Sequence, residues 1–331
     1  AERHPGARFL LLGDEARLTG ALARRPRAAK VCAIRHAPEA VAGDMKPTAA
    51  LRLRQSSMRM AIDAVAAGEA SGVVSSGNTG ALMSIAKIVL RTLPEIDRPA
   101  LAALGPTARG DVVLLDLGAN IQCDARNLVE FALMGDAFAR TVLGLPEPTV
   151  ALLNVGSEEL KGDERLRVAA ETLRDSHLSA NFRGFVEGHD ITAGTVDVIA
   201  TDGFTGNVAL KTGEGALKLS RDLLRQVFTS SILARIGYLL ARPALERLRE
   251  WLDPRRYNGA VLIGLNGVVV KSHGGTDATG FAHAVDVAMD MVTHRFNDRI
   301  RESVGKLRGR GVDLQGSGPD RNGTAAATIA G

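Results

Sequence analysis

Short apolar, β-branched runs alternate along this chain with longer segments whose apolar residues recur every three or four positions. The runs at residues 7–12, 30–35, 72–74, 111–117, 149–154, 182–185 and 196–201 predict strands, and residues 261–270 hold further strand material. The periodic segments at residues 15–25, 48–67, 81–93, 127–143, 163–175 and 279–299 predict helices, and a further helix is expected from about Asn207. Strands that alternate with helices imply an α/β fold, with a mostly parallel sheet covered by helices on both faces. No internal repeat or linker is visible, so a single catalytic unit is expected over residues 1–304. The segment from residue 305 to 331, rich in Gly, Arg, Ser and Ala, is expected to be a disordered tail.

Composition narrows the function. With 331 residues, 45% hydrophobic, the chain can bury a sizeable core. Aromatic residues are only 4%, which argues against a nucleic-acid surface built on stacked rings. The net charge of +4 suits an anionic substrate, an acidic partner or an anionic lipid surface without choosing among them. Cys32 and Cys123 are the two cysteines, so a disulfide framework is excluded in practice and a reducing cytoplasm is expected. Metal-ligand motifs are absent and the seven histidines are scattered, so no metal site is expected. No signal peptide is read in residues 1–20, and no apolar run reaches membrane-spanning length.

The chemistry concentrates where strands end. Residues 75–80, 118–120, 154–162, 201–207 and 272–277 are polar, glycine-bearing turns, and in open α/β sheets ligands sit outside the carboxyl ends of strands. Together on one edge they would line a large polar cleft. The most informative is Thr201-Asp-Gly-Phe-Thr-Gly-Asn-Val-Ala-Leu-Lys211, a strand-turn-helix order that builds anion sites. Gly203 and Gly206 allow close ligand approach, and Asn207 and Lys211 share a helix face. Lys161 is a second candidate cation. His273 is a candidate proton carrier or oxyanion donor. Asn78, Thr79, Asn120 and Asn207 suit phosphate or carbonyl oxygens. Gly-x-Ser-x-Gly, Gly-x-Gly-x-x-Gly and the phosphate loop of ordinary ATPases are all absent, and Cys123 reads as a small buried residue. Such a site places reactants and anions without a covalent nucleophile.

Residues 220–256 form a basic amphipathic segment, with eight arginines against Asp222, Glu246, Glu250 and Asp253. Pro243 is expected to split it into two helices, a protruding hairpin. Its apolar stripe can pack on the core or on a dimer mate, and its charge can meet an anionic membrane or an acidic protein.

Taken together, Asp44-Met-Lys-Pro-Thr48, Ser56-Ser-Met58, Ser76-Gly-Asn-Thr-Gly-Ala-Leu-Met83, Arg91-Thr-Leu-Pro94, Leu115-Asp-Leu-Gly-Ala-Asn120, residues 156–162, residues 201–211, Tyr257-Asn-Gly-Ala260 and Val270-Lys-Ser-His-Gly-Gly275 resemble, in order, the bacterial phosphate acyltransferases. The resemblance implies an isocitrate/isopropylmalate dehydrogenase-like fold. It also implies attack of inorganic phosphate on the thioester of a long-chain acyl-acyl carrier protein, giving acyl phosphate for phospholipid synthesis. Homodimers, peripheral membrane contact with a downstream membrane acyltransferase, and no metal or dissociable cofactor are implied as well. The resemblance implies a family pattern that starts with a strand and an Asp-Ala-Met-Gly-Gly-Asp turn at the active site, ahead of the first residue here, so that strand is expected to be missing from residues 1–304. In these terms Lys161, Lys211 and backbone amides near Gly206 and Asn207 bind phosphate. Asn120, Asn207 and His273 contact the oxyanion, and Asp202 orients Lys211 or His273. The alternatives are a coenzyme-A-dependent phosphate acetyltransferase, an NAD-dependent β-decarboxylating dehydrogenase, and a non-catalytic lipid-side scaffold.

Overall fold

Side-chain caps fix where the main helices start. Asp14, Ser56, Asn78, Asp124, Asp163, Asp202, Ser231 and Asp277 each accept a hydrogen bond from a backbone N–H in the first turn. The computed structural model describes residues 2–94 and 96–309. The chain runs β1 (Phe9–Gly13), α1 (Glu15–Ala23), α2 (Pro26–Ala29), β2 (Cys32–His36), α3 (Pro47–Ala50), α4 (Ser57–Ala66), β3 (Gly72–Ser75) and α5 (Thr79–Leu90). It continues through β4 (Ala100–Thr107), β5 (Gly110–Leu115), α6 (Ala125–Phe138, extended by a π-helical turn over Ala139–Leu143), β6 (Val150–Leu153), α7 (Glu164–Arg174) and β7 (Phe182–Val186). The remainder is α8 (Asp190–Ala193), β8 (Val198–Ala200), α9 (Gly203–Thr229), α10 (Ile232–Trp251), β9 (Ala260–Ile263), β10 (Val268–Lys271), α11 (Ala278–Thr293) and α12 (Phe296–Gly309).

Eight strands form one sheet in the order β3-β10-β9-β4-β5-β8-β6-β7, and β1 and β2 pair in parallel beside it. The pairings β3–β10, β5–β8, β8–β6 and β6–β7 are parallel, whereas β10–β9, β9–β4 and β4–β5 are antiparallel. The sheet is therefore mostly parallel, as expected, but its middle reverses direction. The turns after β3 and β10 leave from one edge, and those after β5, β6 and β8 leave from the other. The expected cleft of five turns on one edge is corrected to two groups. The cause is local: residues 261–270 are a hairpin reversed at Gly264 (φ +87°), and β4 was not anticipated. Pro106 disguised it, yet it lies in the part of β4 beyond the reach of β9, where its missing N–H costs no ladder bond to that neighbour.

Two apolar layers clamp the sheet. On one face α6 is buried along nearly its whole length, with Phe131, Leu133, Met134 and Phe138 inaccessible. On the other face Ile62 of α4 and Leu82 and Ile85 of α5 pack against Leu114, Ile199 and Val269. Each such side chain contributes about 1.5–3 kcal/mol. Gly135 lets α6 sit directly on the strands, because a Cβ there would lie 2.5 Å from Val198 Cγ1 and 2.9 Å from a Leu115 methyl.

Several expected elements are divided. The helix expected over residues 48–67 is interrupted, because Ser56 caps α4 while its hydroxyl donates to the Leu53 carbonyl (2.8 Å). The helix expected over residues 279–299 is broken after Thr293, where Arg295 takes φ 52°. The hairpin splits at Ser230 and Ser231, not at Pro243. Ser231 caps α10, and Pro243 lies inside that helix, which has no buried residues. The helix after β8 starts at Gly203, four residues earlier than expected. α12 runs through Gly309, past the expected start of the tail, and residues 310–331 lie outside the described residues.

The close approach of α6 is testable by thermal or urea unfolding. Gly135→Ala is expected to lower stability by about 1–3 kcal/mol through overpacking. Gly215→Ala, in α9 with nothing within 4 Å of the added carbon, is expected to raise it by about 0.5–1 kcal/mol.

Candidate active site

The turn after β5 is organised by one carboxylate. Asp116 is fully buried and accepts from the backbone N–H groups of Leu101 (2.8 Å), Ala119 (3.0 Å) and Asn120 (2.6 Å), and from the Asn120 side-chain amide (3.0 Å). Burial pushes its carboxyl above the usual carboxylate range, and these hydrogen bonds pull the other way. The Asn120 amide also donates to the Pro99 carbonyl (2.8 Å). Asn120 is thus tied into the turn, and the expectation of a substrate contact from its amide is corrected to a turn-holding role.

Helix α9 docks onto this turn. The Gly203 N–H donates to the Asn120 carbonyl (2.7 Å). A Cβ on Gly203 would lie 2.6 Å from that carbonyl oxygen, and one on Gly206 would lie 1.9 Å from the Asp116 carbonyl oxygen. Both glycines serve an approach of backbone to backbone rather than of ligand to backbone. Asp202 accepts from the Thr205 N–H and hydroxyl (both 2.9 Å), so it caps α9 instead of orienting Lys211 or His273. The Gly206 N–H is bonded to the Asp202 carbonyl (2.9 Å). With its cap filled by a carboxylate, this helix end does not offer the expected cradle of backbone amides. What it does present is the exposed side chain of Asn207, which lies against Gly118 and has no hydrogen-bond partner among the described residues. Lys211, one turn later, is 56% exposed and pairs with Glu214 (2.8 Å).

The loop after β6 reaches the same edge. Asn154 donates to the Lys161 carbonyl (3.0 Å) and accepts from the Val155 N–H (2.8 Å), which closes the loop on itself. Gly162 takes φ +87°, and a Cβ there would lie 2.3 Å from Asn154 Oδ1. Lys161 is exposed, and its pairing with Glu158 (2.8 Å) raises its pKa. Exposed pairs of this kind are weak, so both lysines can exchange their carboxylates for a bound anion.

Asn78 and His273 lie at the opposite edge. Asn78 caps α5 through the Ala81 N–H (2.9 Å), and its amide donates to the carbonyls of Gly43 and Met45 (2.8 and 3.1 Å). Thr79 is exposed beside it. The Ser272 N–H donates to the Ser75 carbonyl (2.9 Å), which holds the two turns together. His273 Nδ1 accepts from the Gly275 N–H (3.1 Å), leaving Nε2 as the protonated, outward donor. Asn258, which sequence reasoning did not assign, fixes this turn. Its buried side chain donates to Ser272 Oγ (2.8 Å) and the Gly280 carbonyl (2.7 Å), and accepts from the His273 N–H (2.7 Å). A cavity of about 350 Å³ opens beside it, lined by Ser76, His273, Gly274, Thr276, Asp277, Ala278 and Phe281.

Lys271 was also missed. It ends β10, is half-buried, and its ammonium donates to the Ser272 carbonyl. Burial pushes its pKa down and the nearby Lys211 adds to the shift. The apolar Val268-Val-Val run hid it as the end of a strand. Cys123 Sγ contacts the Asn120 carbonyl (3.5 Å), and burial pushes its thiol up to about 11, so it is no thiolate nucleophile. The apolar side chains of the hairpin, including Leu223, Val227, Ile236, Leu239 and Leu240, are exposed. No helix among the described residues is long and apolar enough to cross a membrane.

Residues 1–299 match a family described as fatty acid synthesis protein. The chain is 72% identical over 307 residues to a phosphate acyltransferase of Gluconacetobacter diazotrophicus, covering 93% of this chain and 82% of the relative. It is 70% identical over 328 residues to a phosphate acyltransferase of Granulibacter bethesdensis, covering 98% and 88%. In fold it is similar to a phosphotransacetylase of Streptococcus pyogenes, at 18% identity and TM-score 0.56, with 88% and 96% covered. On the strength of these matches over most of its length, the chain belongs to the phosphate acyltransferase family, enzymes that transfer acyl groups to phosphate for phospholipid synthesis.

Proposed function

We propose that the acyl donor is a long-chain acyl thioester on acyl carrier protein, and that the acceptor is inorganic phosphate held at the α9 edge of the sheet. A phosphate oxygen attacks the thioester carbon, the C–S bond breaks, and the phosphate proton ends on the departing sulfur. The products are acyl phosphate and the free carrier thiol. Phosphate is already a nucleophile, so the protein must neutralise and align it rather than supply a covalent intermediate. The observation that carries this reading is the unpartnered Asn207 amide against Gly118, one turn from Lys211. Lys161 and Lys211 supply charge and Asn207 a neutral donor. His273 Nε2, two residues beyond Lys271, is the donor for the carbonyl oxygen as it gains charge. Lys211 on α9 extends from the α9 edge to within electrostatic reach of Lys271, beside the turn that also carries Asn78 and Thr79. Asp202, Gly203, Gly206 and Asn120 support these groups by holding α9 on its turn.

The test is mass spectrometry for acyl phosphate after mixing the protein, palmitoyl-acyl carrier protein and phosphate. Acyl phosphate is expected with wild-type protein. Lys161→Ala and Lys211→Ala are each expected to lose about 10²-fold in kcat/KM, the scale of removing one preorganised charge-stabilising group. Turnover with acetyl-coenzyme A but not with the carrier-bound substrate would reject the donor named here.

The exposed stripe on α9 and α10 is read as the seat of a second copy of the chain, which the family resemblance supports, with the interleaved arginines left to meet anionic lipid. Light scattering on the eluting protein is expected to give a dimer mass, and Leu239→Glu with Leu240→Glu a monomer. Wild-type protein that elutes as a monomer at micromolar concentration would exclude this pairing.

A further inference from the structure

We infer that Lys271 and Lys211 together form an anion seat beside α9, and that its occupant is the phosphate nucleophile. The inference rests on the phosphate-transfer reading above and adds to it a residue from the opposite half of the sheet. Lys271 pairs in register with Ser75 of β3 and Ala260 of β9. Strand alternation puts its side chain on the same face as Val269, which packs with Leu114 and Ile199. Leu210 of α9 packs against that same apolar layer, and the charge of Lys211, the next residue, is near enough to act on Lys271. Two groups of turns that leave opposite edges of the sheet are thereby joined by a pair of lysines.

The charges call for a counter-ion. Lys271 is half-buried, its ammonium is bonded to a backbone carbonyl, and among the described residues it has no ion pair with a carboxylate. A desolvated cation without a counter-charge is costly, and a second cation close enough to perturb it adds repulsion. An anion between the two turns that repulsion into attraction. Glu214 does not serve Lys271: it pairs with Lys211 from the exposed side of α9. Asn207, one turn before Lys211, adds a neutral donor on the same helix face. Two ammonium groups and an amide match a doubly charged phosphate better than they match a carboxylate or a singly charged phosphodiester. The phosphodiester on the prosthetic arm of the acyl donor is the other possible source of such oxygens, and the experiment separates the two.

Wild-type protein is compared with Lys271→Met, which keeps the stem and removes the charge, and with Lys271→Arg. Steady-state kinetics give separate KM values for phosphate and for acyl-acyl carrier protein, and thermal unfolding is followed with and without inorganic phosphate. In Lys271→Met the phosphate KM is expected to rise about tenfold or more while the acyl-donor KM stays within about twofold. The rise in Tm that phosphate gives the wild type is expected to vanish in Lys271→Met and to return largely in Lys271→Arg. The phosphate-free Tm of Lys271→Met is expected to equal or exceed that of the wild type, because an unpaired half-buried charge has been removed. An increase confined to the acyl-donor KM would assign the seat to the donor's arm and overturn the inference. An unchanged phosphate KM with an unchanged phosphate-dependent Tm rise would overturn it too. Wild-type protein that makes no acyl phosphate would instead remove the phosphate-transfer reading on which the inference rests.

Discussion

Everything at the α9 edge depends on the buried carboxylate of Asp116. It gathers four N–H donors from Leu101, Ala119 and Asn120, and so closes the turn of residues 116–120 into a rigid floor. Because the donor from Leu101 belongs to β4, the same group ties the antiparallel middle of the sheet to the turn. An apolar residue at this position would leave those donors unsatisfied in a buried place, at a cost of about 1–3 kcal/mol for each. The floor then receives the start of α9, whose Gly203 and Gly206 come so near it that no side chain fits between.

That docking decides what kind of anion site the edge can be. A helix N-terminus is an obvious place for phosphate, yet here the first turn is spent on Asp202, Asn120 and itself. In the proposed reading the charge therefore comes from side chains farther along the helix and across the sheet. Lys211 and Asn207 are one turn apart on α9, Lys161 stands on the loop after β6, and Lys271 ends β10 within electrostatic reach of Lys211. The proposed site thus draws on parts of the chain separated by more than a hundred residues, with the helix as a spacer rather than an anion cradle.

Much of the fold was legible beforehand. The alternation of β-branched runs with helical periodicity gave the α/β class and most element positions, because burial on both faces writes itself into a strand as a continuous apolar run. The side chains Asn207, Lys211, Lys161 and His273 stood out as polar groups next to glycine. β4 was not legible, because Gly105 and Pro106 interrupt its apolar run, nor was the hairpin in residues 261–270, because two short apolar strands and one long run look alike. Pro243 misled in the other direction. It suggested a helix break that Ser230 and Ser231 supply instead through their hydroxyls.

By itself the sequence determined which residues could carry charge and hydrogen bonds, and where strands would end in polar turns, since these follow from local composition and periodicity. Only the tertiary structure decided which ends lie together. Strand direction is set by pairing partners far apart in the chain, and three antiparallel pairings in the middle of the sheet sent two of the five turns to the opposite edge. The same long-range packing made Asp202, Gly203, Gly206 and Asn120 parts of a docking contact, and left Lys271 half-buried beside a second lysine. No local pattern encodes that arrangement, because it arises only when strands and helices distant in the chain are packed together.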